Sequence, residues 1–414
     1  MKKITLLSFF YFSVSIFSIP VFAQDTFIKD LMIKSGKFEE ILSKPDVYEV
    51  QIIYTQINRD RKNRPKFKTY TYQLDNNRYF YPASTVKFPS VLLALEKINQ
   101  LRINGLTKNS KMITGAEFEK HTGVSIDSTS SNFEPSVAQY VKKILLVSDN
   151  DAYNRLYEFV GQDEFNNKLR EKGFNHSRIF HRLEVGMNLE QNRRTNPIQF
   201  YNEGKQIYSQ PMVISSGKYV SDSPILKGKG YYKRDSLINK PFDFKDKNFF
   251  PLIDQQNILK SILFPEAVKP KSRFDLLPED YAFVYKYMSE YPVESKFPKY
   301  DSTEFYQSYC KFWMFGDVKT PVPKNIRIFN KVGDAYGYLL DNAYIVDFEN
   351  KVEFMLSAVI ACNSDGIFND DNYDYENVGF PFFANFGKEI YKYELGRKKK
   401  NIPNLSKFKI NYDN

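Results

Sequence analysis

The order of apolar and polar positions divides the chain into recognisable elements. DTFIKDLMIKSGKFEEILSK, residues 25–44, spaces its apolar side chains at helical intervals and predicts an amphipathic helix. YEVQIIYTQI and KFKTYTYQL predict two strands, joined by the polar loop NRDRKNRP. A helix opening at Ser84 places Val86, Val91, Leu92, Leu95 and Ile98 on an apolar face. Pro89 lacks an N–H and is tolerated only near the start of such a helix. SVAQYVKKILLV and DAYNRLYEFVG predict two helices flanking Ser148-Asp149-Asn150, and QDEFNNKLREKGF a third, ended by Gly173. Residues 205–330 hold helical pieces, QQNILKSILF and PEDYAFVYKYMSEY, among Pro-, Gly- and Lys-rich connections, with no repeat and no clean linker. NIRIFNKVG, DNAYIVDFEN and KVEFMLSAVIAC then predict three successive antiparallel strands, followed by a helix from Phe382 to Leu395. Strands at both ends of the chain with helices between them predict an α+β fold: one antiparallel sheet flanked by helices, with an all-helical subdomain beside it.

Composition adds a compartment. MKKITLLSFFYFSVSIFSIPVFAQ has a short cationic start, an apolar stretch from Ile4 to Ile19 and a small-residue cleavage signal at Val21-Phe22-Ala23. It predicts a secretory signal peptide over residues 1–23, with a mature protein that is periplasmic or secreted and has no stable membrane anchor. Residues 24–414 then form one catalytic domain, enlarged at about 204–325. The formal net charge is +10, but basic residues alternate with acids along most of the chain. The dense run GRKKK near the C-terminus reads as a solvated tail, so no nucleic-acid partner is expected. Cys310 and Cys362 could pair in an oxidising compartment, and the sequence leaves that open.

The chemistry begins at Ser84. A hydroxyl needs a base within reach to become a nucleophile, and Lys87 lies one helical turn further on the same face. The field of the helix N-terminus favours a forming alkoxide and a neutral amine. Ser148-Asp149-Asn150 offers a second hydroxyl to relay a proton and an amide to grip Lys87 and a carbonyl. Lys331-Val332-Gly333, at the end of a predicted strand, offers a cation for a carboxylate and a glycine that lets a substrate approach the backbone.

In this order the three motifs resemble the S-x-x-K, S-D-N and K-T-G set of the serine β-lactamases and penicillin-binding proteins. SVAQYVKKILLVSDNDAYNRLYEFVG resembles the helix–S-D-N–helix segment of class A β-lactamases. HRLEVGMN, residues 181–188, is similar to their omega-loop motif and supplies Arg182, Glu184 and Asn188. KVGDAYGYLLDNAYIVD resembles the strand segment that carries their K-T-G.

The resemblance implies an acyl-enzyme on Ser84, with Lys87, or Glu184 through a water, taking its proton. The N–H groups of Ser84 and Asp334 would form an oxyanion hole, each such donor being worth about 3–4 kcal/mol. Ser148 would protonate the departing nitrogen and Lys331 would draw in the substrate carboxylate. Asn150 and Asn188 would bind substrate or water, with Glu184 activating the water that releases the acyl group. Arg182 would pair with an acid to shape the loop.

Two departures stand out. Val332 removes the usual hydroxyl after the strand lysine, a hydrogen bond to a charged group worth about 1.5–3 kcal/mol. The segment from Asn188 to Lys331 is also longer than in typical class A enzymes, which places extra material near one edge of the site. His121, His176 and His181 lack zinc-site spacing, so neither metal nor cofactor is expected. The reading is an exported, monomeric serine hydrolase that takes a small β-lactam. The alternatives are a D,D-peptidase or transpeptidase acting on peptidoglycan, which does not need Glu184 with Asn188, and a non-catalytic binding protein on the same fold.

Overall fold

A computed structural model describes residues 26–412. The proposed signal peptide, residues 1–23, lies outside the described residues. Five long strands form one antiparallel sheet: β1 Gln51–Arg59, β2 Pro65–Tyr72, β3 Ile326–Ala335, β4 Tyr338–Asp347 and β5 Val352–Ala361. Their order across the sheet is β3-β4-β5-β1-β2, so the two N-terminal strands join the edge of the C-terminal meander at β5. Ile52 stands opposite Ala358 and Ile53 opposite Ser357.

Both faces of the sheet are covered, which is why β4 and β5 are buried along their whole length and read as nearly continuous apolar runs. Alternate residues serve two cores. Ile53, Ile57, Phe329, Tyr344 and Met355 face the helical half of the molecule. Ile52, Tyr54, Ile328, Ile345 and Phe354 face the helices at the chain ends. These end helices are α1, Phe27–Ser35, and the long C-terminal α8, Phe380–Gly396.

The first predicted helix breaks after nine residues. Gly36 adopts φ +67° and closes α1, and a separate short helix follows at Glu39–Ser43.

The helical half contains α2 Lys87–Leu101, α3 Val137–Val147, α4 Asn150–Val160 and α5 Gln162–Glu171. Pro89 falls in the first turn of α2, where its missing N–H costs nothing. Helix α2 is buried almost all round, and even Glu96 lies inside, paired with Lys172 at 2.8 Å. A small three-stranded sheet, Lys111–Thr114 with Ile198–Asn202 and Lys205–Gln210, packs against this half through Phe159 and Phe200. In the enlarged segment, α6 Leu252–Leu263 packs on the central sheet and α7 Pro278–Ser289 on α3 and β3. No described helix is long and apolar enough to cross a membrane.

Candidate active site

The chain enters the site through Tyr81-Pro82 and turns at Ala83, whose φ is +47°. Residues Ala83–Val86 form a 3-10 turn that runs directly into α2. Ala83, Thr85 and Val86 are buried, and Thr85 fastens the turn by donating from both its N–H and its Oγ1 to the Pro82 carbonyl, at 3.1 and 2.6 Å. Ser84 alone in the turn is partly open, and it lines a cleft of about 1430 Å³. Its hydroxyl has no hydrogen-bond partner among the described residues.

Behind the turn lies β3. A β-carbon on Gly333 would stand 2.9 Å from the Ser84 nitrogen and 3.0 Å from the Pro82 oxygen. The glycine of K-V-G therefore admits the backbone of the turn that carries Ser84, a contact its place in the sequence did not suggest.

Lys87 is fully buried at 0% exposure. Its Nζ donates to Asn150 Oδ1 at 2.5 Å, to the Ser148 carbonyl, and to Ser148 Oγ at 3.2 Å. Burial, with the nearby Lys331 charge second, holds the amine well below the usual lysine range. Lys331 Nζ donates to Ser148 Oγ at 2.8 Å and to the Val332 carbonyl at 2.8 Å. Burial lowers Lys331 to about 8, against the pull of Cys310 and Asp334. One hydroxyl, Ser148, thus stands between two amines that disfavour each other's charge.

Ser148 is held there by its backbone. It ends α3 in the left-handed region at φ +62°, its N–H bonded to the Ile144 carbonyl. Asp149 then caps α4, accepting from the Ala152 N–H at 2.7 Å, and Asn150 is the first residue of that helix. The S-D-N tripeptide is a hinge between two helices. A non-glycine residue in that conformation costs of order 1–3 kcal/mol, which the two packed helices offset.

The loop after His181 forms the opposite wall. Arg182 is inside the protein. Its Nε donates to Glu158 at 2.8 Å, with side-chain exposures of 1% and 3%, and its guanidinium also reaches the Gln191 and Arg194 carbonyls. Asn154 brackets the loop by bonding both the N–H and the carbonyl of Leu183. His181 accepts from the Asn248 N–H on Nε2 and sits at 2.6 Å from the Arg182 carbonyl on Nδ1. Burial depresses it to about 3, so it is a neutral spacer.

Glu184 follows at φ +53°, exposed on the cleft, with no hydrogen-bond partner among the described residues. Asn188 has a structural role that its motif did not suggest. Its Oδ1 caps the short helix Leu189–Asn192 by accepting from the Gln191 N–H at 2.9 Å, and Gln191 Oε1 returns a bond to the Asn188 N–H. The sequence carried the signal for this, since Asn-x-x-Gln is a capping box.

Six of the nine candidate residues line the one cleft: Ser84, Ser148, Asn150, Glu184, Asn188 and Asp334. Lys87, Lys331 and Gly333 stand behind that wall. The enlarged segment supplies a side that the sequence reading did not name, with Phe305, Tyr306, Tyr309 and Cys310 on the cleft. A buried network beneath holds this segment. Lys311 Nζ donates to Asn330 Oδ1, Asn330 donates to Asp341, and Asp341 accepts the Phe312 N–H. Cys310 and Cys362 are both free thiols, and burial pushes Cys310 up to about 11, so it stays protonated. Tyr81 packs edge-on against Tyr336 with ring centres 4.9 Å apart, closing the floor beside Ser84.

Comparison with known proteins adds a family. The model of the Beta-lactamase enzyme family matches residues 37–234. Among solved structures, a β-lactamase from Sphaerobacter thermophilus is 12% identical with TM-score 0.46, over 86% of this chain and 94% of that one. A β-lactamase from Xanthomonas campestris pv. campestris is 13% identical with TM-score 0.48, over 88% and 98%. The protein PBP-A is 13% identical with TM-score 0.46, over 88% and 95%. No curated protein matches the sequence.

Proposed function

We propose that the chain, whose residues 37–234 match the model of the Beta-lactamase enzyme family, is an exported serine hydrolase that opens β-lactam rings on Ser84. The observation that carries this reading is the pair of polar acceptors, Asn150 Oδ1 and the Ser148 carbonyl, that fix a buried, charge-averse Lys87 one turn from a serine hydroxyl with no bond to any of the described residues. In its neutral form Lys87 Nζ keeps two N–H bonds, to Asn150 Oδ1 and the Ser148 carbonyl, and a free lone pair; Ser84 Oγ attacks the ring carbonyl and its proton passes to that nitrogen. The oxyanion forms against the N–H groups of Ser84 and Asp334, which the close approach of Gly333 brings together. The carbonyl–nitrogen bond breaks, and the departing nitrogen takes a proton from Ser148, which Lys331 replaces. A water on the cleft side then gives its proton to Glu184 and attacks the ester; the bond to Ser84 Oγ breaks as Lys87 Nζ returns its proton to that oxygen, and the proton on Glu184 passes through solvent to Lys331, which closes the cycle.

A second reading has its own support. Among the described residues Glu184 has no hydrogen-bond partner and Asn188 Oδ1 is engaged as a helix cap, so no bond from the loop holds the carboxylate that the last step would use. That arrangement favours a penicillin-binding D,D-peptidase or transpeptidase, in which the acyl group from a β-lactam persists. Intact-mass spectra over time with a penicillin and a cephalosporin separate the two. An adduct that appears and clears within minutes, absent in Ser84→Ala, supports the hydrolase. An adduct that lasts for hours supports the second reading. No adduct with either drug overturns both.

A further inference from the structure

The C-terminal run Arg397–Lys400 exposes Lys398 and Lys400 but is fastened to the fold and is not a loose tail. Arg397 donates to Asn58 Oδ1 at 2.7 Å and pairs with Glu394 at 2.8 Å. Asn401 Nδ2 donates to the Arg59 carbonyl at 2.8 Å, and Asn63 and Asn404 exchange bonds at 2.9 and 3.0 Å. These contacts stitch residues 397–404 along the β1–β2 turn. Residues 59–68 and 397–400 hold ten cations and one acid, Asp60, nearly all of the chain's excess of positive charge.

Carboxylates neutralise only part of it. Arg59 pairs with Glu353, Arg64 with Asp60 and Arg397 with Glu394. Arg61, Lys62, Lys66, Lys398 and Lys400 are exposed and have no carboxylate in ion-pair range among the described residues. Arg61, Lys66 and Lys400 edge a shared hollow of about 330 Å³. In the same stitched segment Ile402 stands 76% exposed, between the anchors Asn401 and Asn404, and Leu395 in the last turn of α8 is 46% exposed. An isoleucine held out into solvent among lysines is the composition of a surface that seats on anionic lipid, the cations meeting headgroup phosphates and the apolar tips entering the interface. Nucleic acid would match the charge but leave Ile402 without a function.

We infer that this corner of the molecule is a docking surface for an anionic phospholipid bilayer, a reversible contact in place of an anchor. It lies at the β2 edge of the sheet, whereas the catalytic cleft lies at β3. Four strand spacings, about 19 Å, separate them, so the cleft stays open to solvent while the protein is docked.

The test is flotation of the full chain with phosphatidylcholine vesicles, with and without phosphatidylglycerol. Binding is expected only to the anionic vesicles and is lost as salt rises. The double variant Lys66→Glu with Lys400→Glu is expected to bind at least about tenfold more weakly, with unchanged thermal unfolding and unchanged acylation of Ser84. Ile402→Ser leaves the charge intact and is expected to weaken binding several-fold at fixed salt. Because the variants keep the N-terminal segment, a contribution from that segment is common to all. Equal binding by wild type and the charge-reversed variant overturns the inference, as does equal binding to neutral vesicles or preference for duplex DNA over anionic vesicles.

Discussion

Gly333 and Ser84 are in backbone contact across the boundary between the sheet and the helical half: a β-carbon on the glycine would lie 2.9 Å from the serine nitrogen. The proposed nucleophile is therefore positioned by β3 as much as by its own helix. Gly333→Ala must push the 3-10 turn away from the strand, because the obstructing atoms are backbone and cannot rotate aside. Overpacking of this kind costs about 1–3 kcal/mol of stability. A displacement approaching 1 Å at a reacting atom costs about a hundredfold in rate. Urea unfolding together with the acylation rate of Gly333→Ala should show a modest stability loss beside a large rate loss. An unchanged acylation rate would mean that the contact does not position the serine.

Lys331 supplies the pH dependence. Burial lowers it to about 8, and the proposed role needs its protonated form, both to restore the Ser148 proton and to attract an anionic drug. The protonated fraction falls tenfold for each pH unit above that value, so kcat/KM for a penicillin should decline on the alkaline side of about pH 8. Lys331→Arg keeps the charge and should remove this limb while retaining part of the activity. His181, depressed to about 3 by burial, should add no limb near pH 6. A pH–rate series on wild type, Lys331→Arg and Lys331→Ala checks all three statements.

Arg182 and Glu158 form a buried pair that holds the loop bearing Glu184. Removing one partner of a buried pair costs about 3–5 kcal/mol where the other is left alone, but Glu158 also pairs with Arg155 at 3.7 Å, so it keeps a cation when Arg182 is removed. Asn196, which also donates to Glu158 at 3.2 Å, should keep Arg182→Ala at the lower end. Chemical denaturation gives the number. Faster hydrogen exchange confined to residues 182–195 would locate the damage in the loop, whereas a loss below about 1 kcal/mol would show that the pair is dispensable.

These relationships were unequally visible in the sequence. Apolar periodicity located the long strands and helices because each buries a face over ten or so residues, as α3 does through Val137, Tyr140, Val141, Ile144 and Leu145. The motifs Ser84-x-x-Lys87, Ser148-Asp149-Asn150 and Lys331-x-Gly333 were readable because the chemistry restricts the residue types. Contacts between distant segments were not. That Gly333 meets Ser84, that Arg397 meets Asn58 and that Cys310 reaches the cleft depend on chain crossing, which periodicity does not encode. Gly36 misled in a different way. The apolar spacing continues on either side of it, but the left-handed turn there ends the helix.

Glu184 and Asn188 divide what one loop motif had joined. In the proposed cycle Glu184 acts only on the water that releases the acyl group, so Glu184→Gln should acylate Ser84 at close to the wild-type rate and retain the adduct. General-base assistance of this kind is worth about 10²–10⁴-fold, and the lifetime of the adduct should lengthen by that range. Asn188, whose Oδ1 caps the helix Leu189–Asn192, should behave otherwise. Asn188→Ala loses a cap worth about 1 kcal/mol, while Asn188→Asp, which still accepts from the Gln191 N–H, should retain stability. Neither Asn188 variant should slow release of the acyl group by more than a few-fold. Stopped-flow acylation and adduct lifetime by intact mass, measured on all three variants, read the two steps separately. A Glu184→Gln enzyme that clears its adduct as fast as wild type would remove Glu184 from the cycle, and a large slowing in Asn188→Asp would return that residue to the water site.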